Sequence, residues 1–390
     1  MNIRRVALGL LVSAVCLYFV VRGVEWGEVV RHLSEIDLPL FLLSMLLMLA
    51  AYFLMTWRWR FLLDPLDAPS LPAPDHPRRS RYSLPDLYGK MLTGYFFNAF
   101  FPARAGDLVR AYLLGRTTGM RKTTILATVV IEKAFDGIAL LLMLLVGLVL
   151  LPSVAPGGKA GLSPELLAWV AGIGLVAAIV CLFLFYKYSS GLARLVERFF
   201  AVTPFPRWME RLAVRLIETF AGGLHILDIG DRARRRPGQG PRPLAYAAAI
   251  SLLVWLVVAG MFLVALLSFR TPFPIELMSP AGLLFTTALV NLGLLVPALP
   301  GNVGTYEALC VAAMAVFGVD KELAVAFALI FHVGQLVVTL AVGVVAFWAQ
   351  NMSLADMRPV EQRAEVEAER SLDDLEREPD VAVFGPEREG

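Results

Sequence analysis

Arg104, Asp107 and Arg110 interrupt an otherwise apolar stretch, FFNAFFPARAGDLVRAYLL (96–114). Glu132, Lys133 and Asp136 lie within a second apolar run, 123–151. A charge at the centre of a membrane-crossing helix costs about 2.5–3.5 kcal/mol on insertion scales, so each of these needs a reason. A guanidinium matches a phosphate bidentately and stays charged at any accessible pH, which makes Arg104 and Arg110 candidates for holding a lipid phosphate. A helix beginning after Gly106 adds free N–H groups and the positive end of its dipole. The plainer reading has Arg110 reaching interfacial water and Asp107 capping the helix. Glu132 and Asp136 stand four residues apart and share a helix face, with Lys133 offset by about 100°. Glu132 sits about 14 Å along its helix, near the bilayer middle. Paired with Arg104 it would gate a cavity or relay protons; as a buried ion pair it would only fix helix packing.

A second group surrounds Pro300, Gly301 and Gly304. Thr305 or Asn302 suits an N-cap there, and Glu307 suits a first helical turn. Glu307 is otherwise a second acidic partner for a headgroup or a proton. His332 and Gln335 share a face of the last apolar run, and His332 is either a group titrating near neutral pH or a satisfied core histidine. Asn98 and Asn302, beside the two breaks, complete the candidate headgroup contacts. There is no Walker A loop, no HExxH and no G-x-S-x-G, and no metal or cofactor is implied. No residue takes a catalytic role in the main reading. An intramembrane lipid transferase built from Glu132, Asp136 and His332 stays as an alternative.

Hydropathy predicts the elements that position these residues. Of the 390 residues 58% are hydrophobic and only 17% charged, where a globular domain has roughly half and a quarter. The chain therefore reads as one all-α polytopic membrane bundle. Spans of about 20 apolar residues are needed to cross. Six such runs occur at 3–21, 38–62, 123–151, 162–186, 244–269 and 321–349. The first lacks a small-x-small cleavage site and reads as a retained span, not a signal peptide. Cys16, Cys181 and Cys310 lie far apart in apolar runs and read as small buried hydrophobes.

Lys and Arg in the short loops set orientation. Segment 58–90 carries Arg58, Arg60, Arg78, Arg79, Arg81 and Lys90, and segment 187–243 carries eleven basic residues. The loops 152–161 and 270–276 carry one each, so both termini are expected in the cytoplasm. Segment 187–243 is amphipathic, suiting helices at an anionic lipid surface or a solvated pair packed on the bundle. The tail 351–390 is acidic; its last 38 residues hold 12 acidic and 5 basic side chains, which suits a disordered cytoplasmic segment. Nucleic-acid binding has no support beside so much membrane.

Two apolar segments remain, 84–116 and 277–318, and both contain a proline–glycine break. FPARAGDLVRAYLL (101–114) aligns with LPGNVGTYEALCVA (299–312), matching Pro102 to Pro300 and Gly106 to Gly304. Each reads as a re-entrant hairpin whose irregular backbone is buried by protein. Three spans separate them, so they enter from opposite faces, the pattern of an inverted repeat with a central site. Two full spans over 277–318 are the alternative, and leave the parity unchanged.

PARAGDLVRAYLLGR with EKAFDGIALLLMLL, and ALPGNVGTYEALCVAAMAVFGVDKELAVAFALIFHVGQ, resemble the two signatures of the lysylphosphatidylglycerol synthase transmembrane, or flippase-like, family. The resemblance covers about residues 1–350. It implies movement of a phospholipid or isoprenoid-linked lipid between leaflets of a bacterial inner membrane. The family's cytoplasmic aminoacyltransferase domain has no counterpart in this sequence, so synthase activity is not implied. The partners expected are membrane lipids with anionic or zwitterionic headgroups. In a second reading the chain is a scaffold for a cytoplasmic lipid-modifying enzyme.

Overall fold

The computed structural model describes residues 13–64, 82–100, 105–120, 122–151, 172–177, 180, 242–294 and 300–350. Most of the expected spans 3–21 and 162–186, the segment 187–243, the tail, Pro102 and Arg104 lie outside the described residues. Within them the chain is helical throughout: α1 (13–21), α2 (Trp26–Ser34), α3 (Leu38–Leu63), α4 (Leu84–Phe100), α5 (Ala105–Thr118), α6 (Lys122–Leu150), α7 (Arg242–Leu267), α8 (Ile275–Met278), α9 (Pro280–Gly293), a 3-10 turn (Pro300–Asn302), α10 (Thr305–Ala315) and α11 (Lys321–Ala349). Four of these, α3, α6, α7 and α11, are long and apolar enough to cross a membrane.

Local chemistry starts the helices where they start. Asp37 caps α3 by accepting the Leu40 N–H at 3.1 Å, with Pro39 in the first turn. Ser279 caps α9 in the same way through Gly282, and Pro280 follows at once. Beyond the caps, α3 and α7 are apolar on every side, as a helix facing both protein and lipid requires. Their outward side chains, such as Leu46 and Leu253, remain exposed. The core runs between α7 and α11, where Phe262, Phe269, Phe273, Phe327 and Phe331 meet edge to face or tilted at 4.9–5.8 Å. Ala324, Ala326 and Ala328 are buried on α11.

Both ends of the bundle are fixed by hydrogen bonds. At one end the Asp37 N–H bonds Ser268 at 2.7 Å, joining the start of α3 to the end of α7. Lys321, at the start of α11, donates to the carbonyls of Phe19 and Arg22 at the end of α1. At the other end Tyr82, before α4, donates to Asp64, just after α3. Gln350, after α11, donates to Thr93 of α4 at 2.9 Å. These ends are separated by α3, whose 26 residues span about 39 Å.

The two broken segments enter from those opposite ends. Helices α4 and α5 pack together and run about 25 and 21 Å, too short for a hydrocarbon layer of about 30 Å. Helices α9 and α10 also pack together, at about 21 and 16 Å. Since α7 ends and α11 begins at the Asp37 end, α8–α10 must start and return there. Gly293 and Thr305 bracket the interruption between them, and neither helix alone reaches the thickness of the hydrocarbon layer. Inside, the breaks approach each other. A Cβ on Gly301 would stand 3.4 Å from the Ala99 carbonyl near the end of α4.

Candidate functional site

At the first break, glycine sets how closely the two arms approach. A Cβ on Gly106 would overlap the carbonyl oxygen of Gly94, so α4 and α5 touch backbone to backbone. The Asn98 Oδ1 accepts the Gly106 N–H at 2.8 Å, bridging the break from the other arm. Asn98 thus caps α5, an occupation that the headgroup expectation did not include. Asn291, in the apolar run before the second break, donates to the Thr287 carbonyl within its own helix at 2.8 Å.

From this junction α5 carries Arg110 into a buried charge cluster. Arg110 Nη1 and Nη2 donate to the two Glu132 oxygens at 3.2 and 3.1 Å. Its Nη2 also lies 3.1 Å from Asp107, and its plane rests over the Trp59 ring at 5.0 Å. Arg58 comes from α3 and contacts both carboxylates of α6: Glu132 at 3.1 Å, and Asp136 through both terminal nitrogens. Arg58 also donates to Ser251 of α7 at 2.7 Å, and Trp255 of α7 donates to Asp136 at 3.2 Å. Trp59 donates to Thr128 at 3.0 Å.

Arg58, Arg110 and Glu132 are almost fully buried. Three cations (Arg58, Arg110, Lys133) face three carboxylates (Asp107, Glu132, Asp136), so the described cluster is electrically balanced. Balance is what burial demands, since an unpaired charge in apolar surroundings costs several kcal/mol. The cluster does keep two unmet donors: Arg58 Nε and Arg110 Nε are buried without an acceptor. It also keeps one open side. Lys133 is 34% exposed and Asp107 18%, and the Lys133 ammonium stands 3.7 Å from Glu132 and 4.0 Å from Asp107.

Glu132 pairs with Arg110 and Arg58, and the expected pairing with Arg104 falls outside the described residues. One expectation needs correction here. Arg58 and Lys90, counted among loop cations, are buried in helices. Lys90 is held by Asp86 one turn earlier, and Arg58 by the cluster. The shared face of Glu132 and Asp136 is as expected, with both carboxylates on the Arg58 guanidinium.

At the second break three residues have positive φ: Gly301 (69°), Asn302 (56°) and Gly304 (84°). Gly304 is the N-cap of α10, not Thr305 or Asn302. Glu307 supplies the missing acceptor by reaching back, its Oε2 taking the Gly304 N–H at 2.7 Å. Its Oε1 lies 2.7 Å from His332 Nδ1, so His332 is neither solitary nor simply packed. Tyr306 stacks on the imidazole at 4.3 Å and accepts from Gln335 at 3.1 Å. Of the predicted residues the structure brings Asp107, Arg110, Glu132, Lys133 and Asp136 together at one site and Glu307 and His332 at another. No group of three or more metal-ligating side chains occurs among the described residues.

Residues 6–343 match the family described as the lysylphosphatidylglycerol synthase TM region, and the chain belongs to that family. With its four long apolar helices it is a multi-pass membrane protein. It is also similar to the glycosyltransferase AglD of Haloferax volcanii, 27% identical over 386 residues. That alignment takes in 93% of this chain but 57% of the relative, so the chain spans little more than half the length of the protein it resembles.

Proposed function

We propose, from the chain's place in the lysylphosphatidylglycerol synthase transmembrane family, that it moves a phospholipid or isoprenoid-linked lipid between leaflets of a bacterial inner membrane, with both termini cytoplasmic. The observation that carries this reading is the charge cluster beside the first break, buried among apolar helices but open on its Lys133–Asp107 side. A structural ion pair needs no open side, and a headgroup needs one. The unmet N–H donors of Arg58 and Arg110 suit a phosphate oxygen, and Arg104 immediately precedes α5 in sequence. The headgroup meets Lys133 and Asp107 first, then competes with Glu132 for Arg110, while the acyl or prenyl tails stay in lipid. Opposed broken helices with tips meeting inside the bundle support alternating access from the two faces.

The basic loops support a cytoplasmic first break, because the end that holds Asp64, Tyr82 and Lys122 also receives segment 58–90. Purified protein in liposomes carrying fluorescent phospholipid or polyprenyl lipid is expected to speed leaflet exchange, read by dithionite quenching. Unchanged exchange for every lipid tried would sink the proposal.

The glycosyltransferase relative favours a second reading. In it the chain is the membrane part of a lipid-modifying system and works with a cytoplasmic enzyme. Co-purification with such an enzyme, without lipid exchange, would favour this reading.

A further inference from the structure

The second break is built differently from the first. In the first half separate groups divide two tasks: the Asn98 amide caps Gly106, and the Arg110–Glu132 pair ties the return helix α5 to the long helix after it. An amide does not titrate, and a guanidinium keeps its charge. In the second half one carboxylate does both. Glu307 caps Gly304 with one oxygen and ties α10 to α11 through His332 with the other, each at 2.7 Å. Its partner is a histidine, whose imidazole can take up a proton.

The surroundings leave the pair to a proton. On α10 Tyr306 stacks on His332 and Cys310 is buried nearby; on α11 Gln335 serves the Tyr306 hydroxyl. Helix α9 carries no ionisable residue. Helix α3 meets α11 through Phe41 and Met45 at Gly334, and α4 meets it through Phe96 at Gly343. On α2 Arg31 pairs with Glu28 and Glu35, and His32 meets Thr271. Among the described residues no lysine or arginine pairs with Glu307. With Glu307 ionised and His332 neutral, no described lysine or arginine balances the pair's charge. One proton converts it to a balanced, charge-assisted pair.

The cap that Glu307 provides governs a tightly seated backbone. A Cβ on Gly304 would come 2.6 Å from the Ser13 carbonyl of α1, and Gly301 abuts α4. We propose that Glu307–His332 is a proton-binding site whose occupancy sets the conformation of the second break. Where the chain moves lipid as proposed above, this site couples that movement to a proton gradient; only that last step rests on the lipid reading.

The test uses the full-length protein with a reporter cysteine, Val303→Cys, at a break residue that is 41% exposed. Its maleimide-labelling rate is measured between about pH 5 and 8, with the parent protein as the background for its native cysteines. The rate is expected to change by about fivefold or more, the lower end of typical coupling between sites, after correction for the reagent's own pH dependence. His332→Gln and Glu307→Gln should each flatten the profile. An unchanged profile in a folded His332→Gln or Glu307→Gln protein, or a flat one in the parent reporter, overturns the proposal; if one variant fails to fold, the other decides. Lipid exchange is then measured with and without an imposed pH gradient. A titrating break with no exchange of any lipid removes the lipid reading and keeps the proton site. Exchange that ignores the gradient removes the coupling step.

Discussion

Arg110 and Glu132 form a two-pronged ion pair, 3.2 and 3.1 Å across, that fastens the return helix α5 to α6. Arg58 reaches the same carboxylate from α3, so Glu132 joins three helices. Removing it leaves Arg58 with Asp136 and Arg110 with Asp107, and an excess positive charge buried among apolar helices. Glu132→Ala is expected to lower stability by about 3–5 kcal/mol, read from the unfolding midpoint in detergent. Arg110→Met with Glu132→Leu removes the pair together and leaves Arg58 on Asp136, so most of that stability should return. Lipid exchange should stay lost. Wild-type exchange by the double variant would make the pair a packing device only.

Gly106 and Gly94 set the separation of the first hairpin's arms. Gly106→Ala places a methyl group against the Gly94 carbonyl and must push α4 from α5. A loss of about 1–3 kcal/mol is expected, the usual scale of overpacking. Gly137 on α6 has open space where its Cβ would stand. Gly137→Ala should therefore stay within about 0.5 kcal/mol of wild type. Equal effects at the two positions would remove the close-approach argument.

Lys133 is the accessible cation of the cluster, half-exposed beside Asp107. Its removal should spare the fold and act on the headgroup. Lys133→Gln is expected to unfold at the wild-type temperature while exchange of an anionic lipid drops about tenfold and that of a zwitterionic lipid drops less. A matched panel of fluorescent lipids in one liposome preparation measures this. An equal drop for both lipid classes would assign Lys133 to the cluster's integrity and not to recognition.

Much of this architecture is legible in hydropathy, because a membrane span is a local property of about 20 residues. The expected run 38–62 became Leu38–Leu63, and 321–349 became Lys321–Ala349. The chain reversal at Pro300–Gly304 was legible from a local signal too, its proline and glycines, while Pro102 lies outside the described residues. Partner choice was not, since pairing is set by packing between residues far apart in sequence. Arg58 shows this best. In the run Trp57-Arg58-Trp59-Arg60 it resembles the cationic flank of a span, yet it meets Asp136, 78 residues later. The available signal was its place inside the expected span, which singled out Glu132 by the same standard. Likewise nothing local separates Gly304 from Thr305 as the cap of α10. The choice depends on φ 84° at Gly304 and on Glu307 reaching back.

Asn302 separates backbone from headgroup roles at the second break. It holds φ 56°, a left-handed conformation that asparagine tolerates and β-branched residues resist. A backbone role predicts that Asn302→Gly keeps both fold and exchange, with stability within about 1 kcal/mol of wild type. Asn302→Val should lose about 1–3 kcal/mol through strain and lose exchange with it. The sequence motif instead suggests an amide that contacts the headgroup. On that account Asn302→Gly would stay folded but exchange lipid slowly, because the contact is gone while the conformation is kept. Paired unfolding and exchange measurements on the two variants decide between these roles, and the left-handed geometry favours the first.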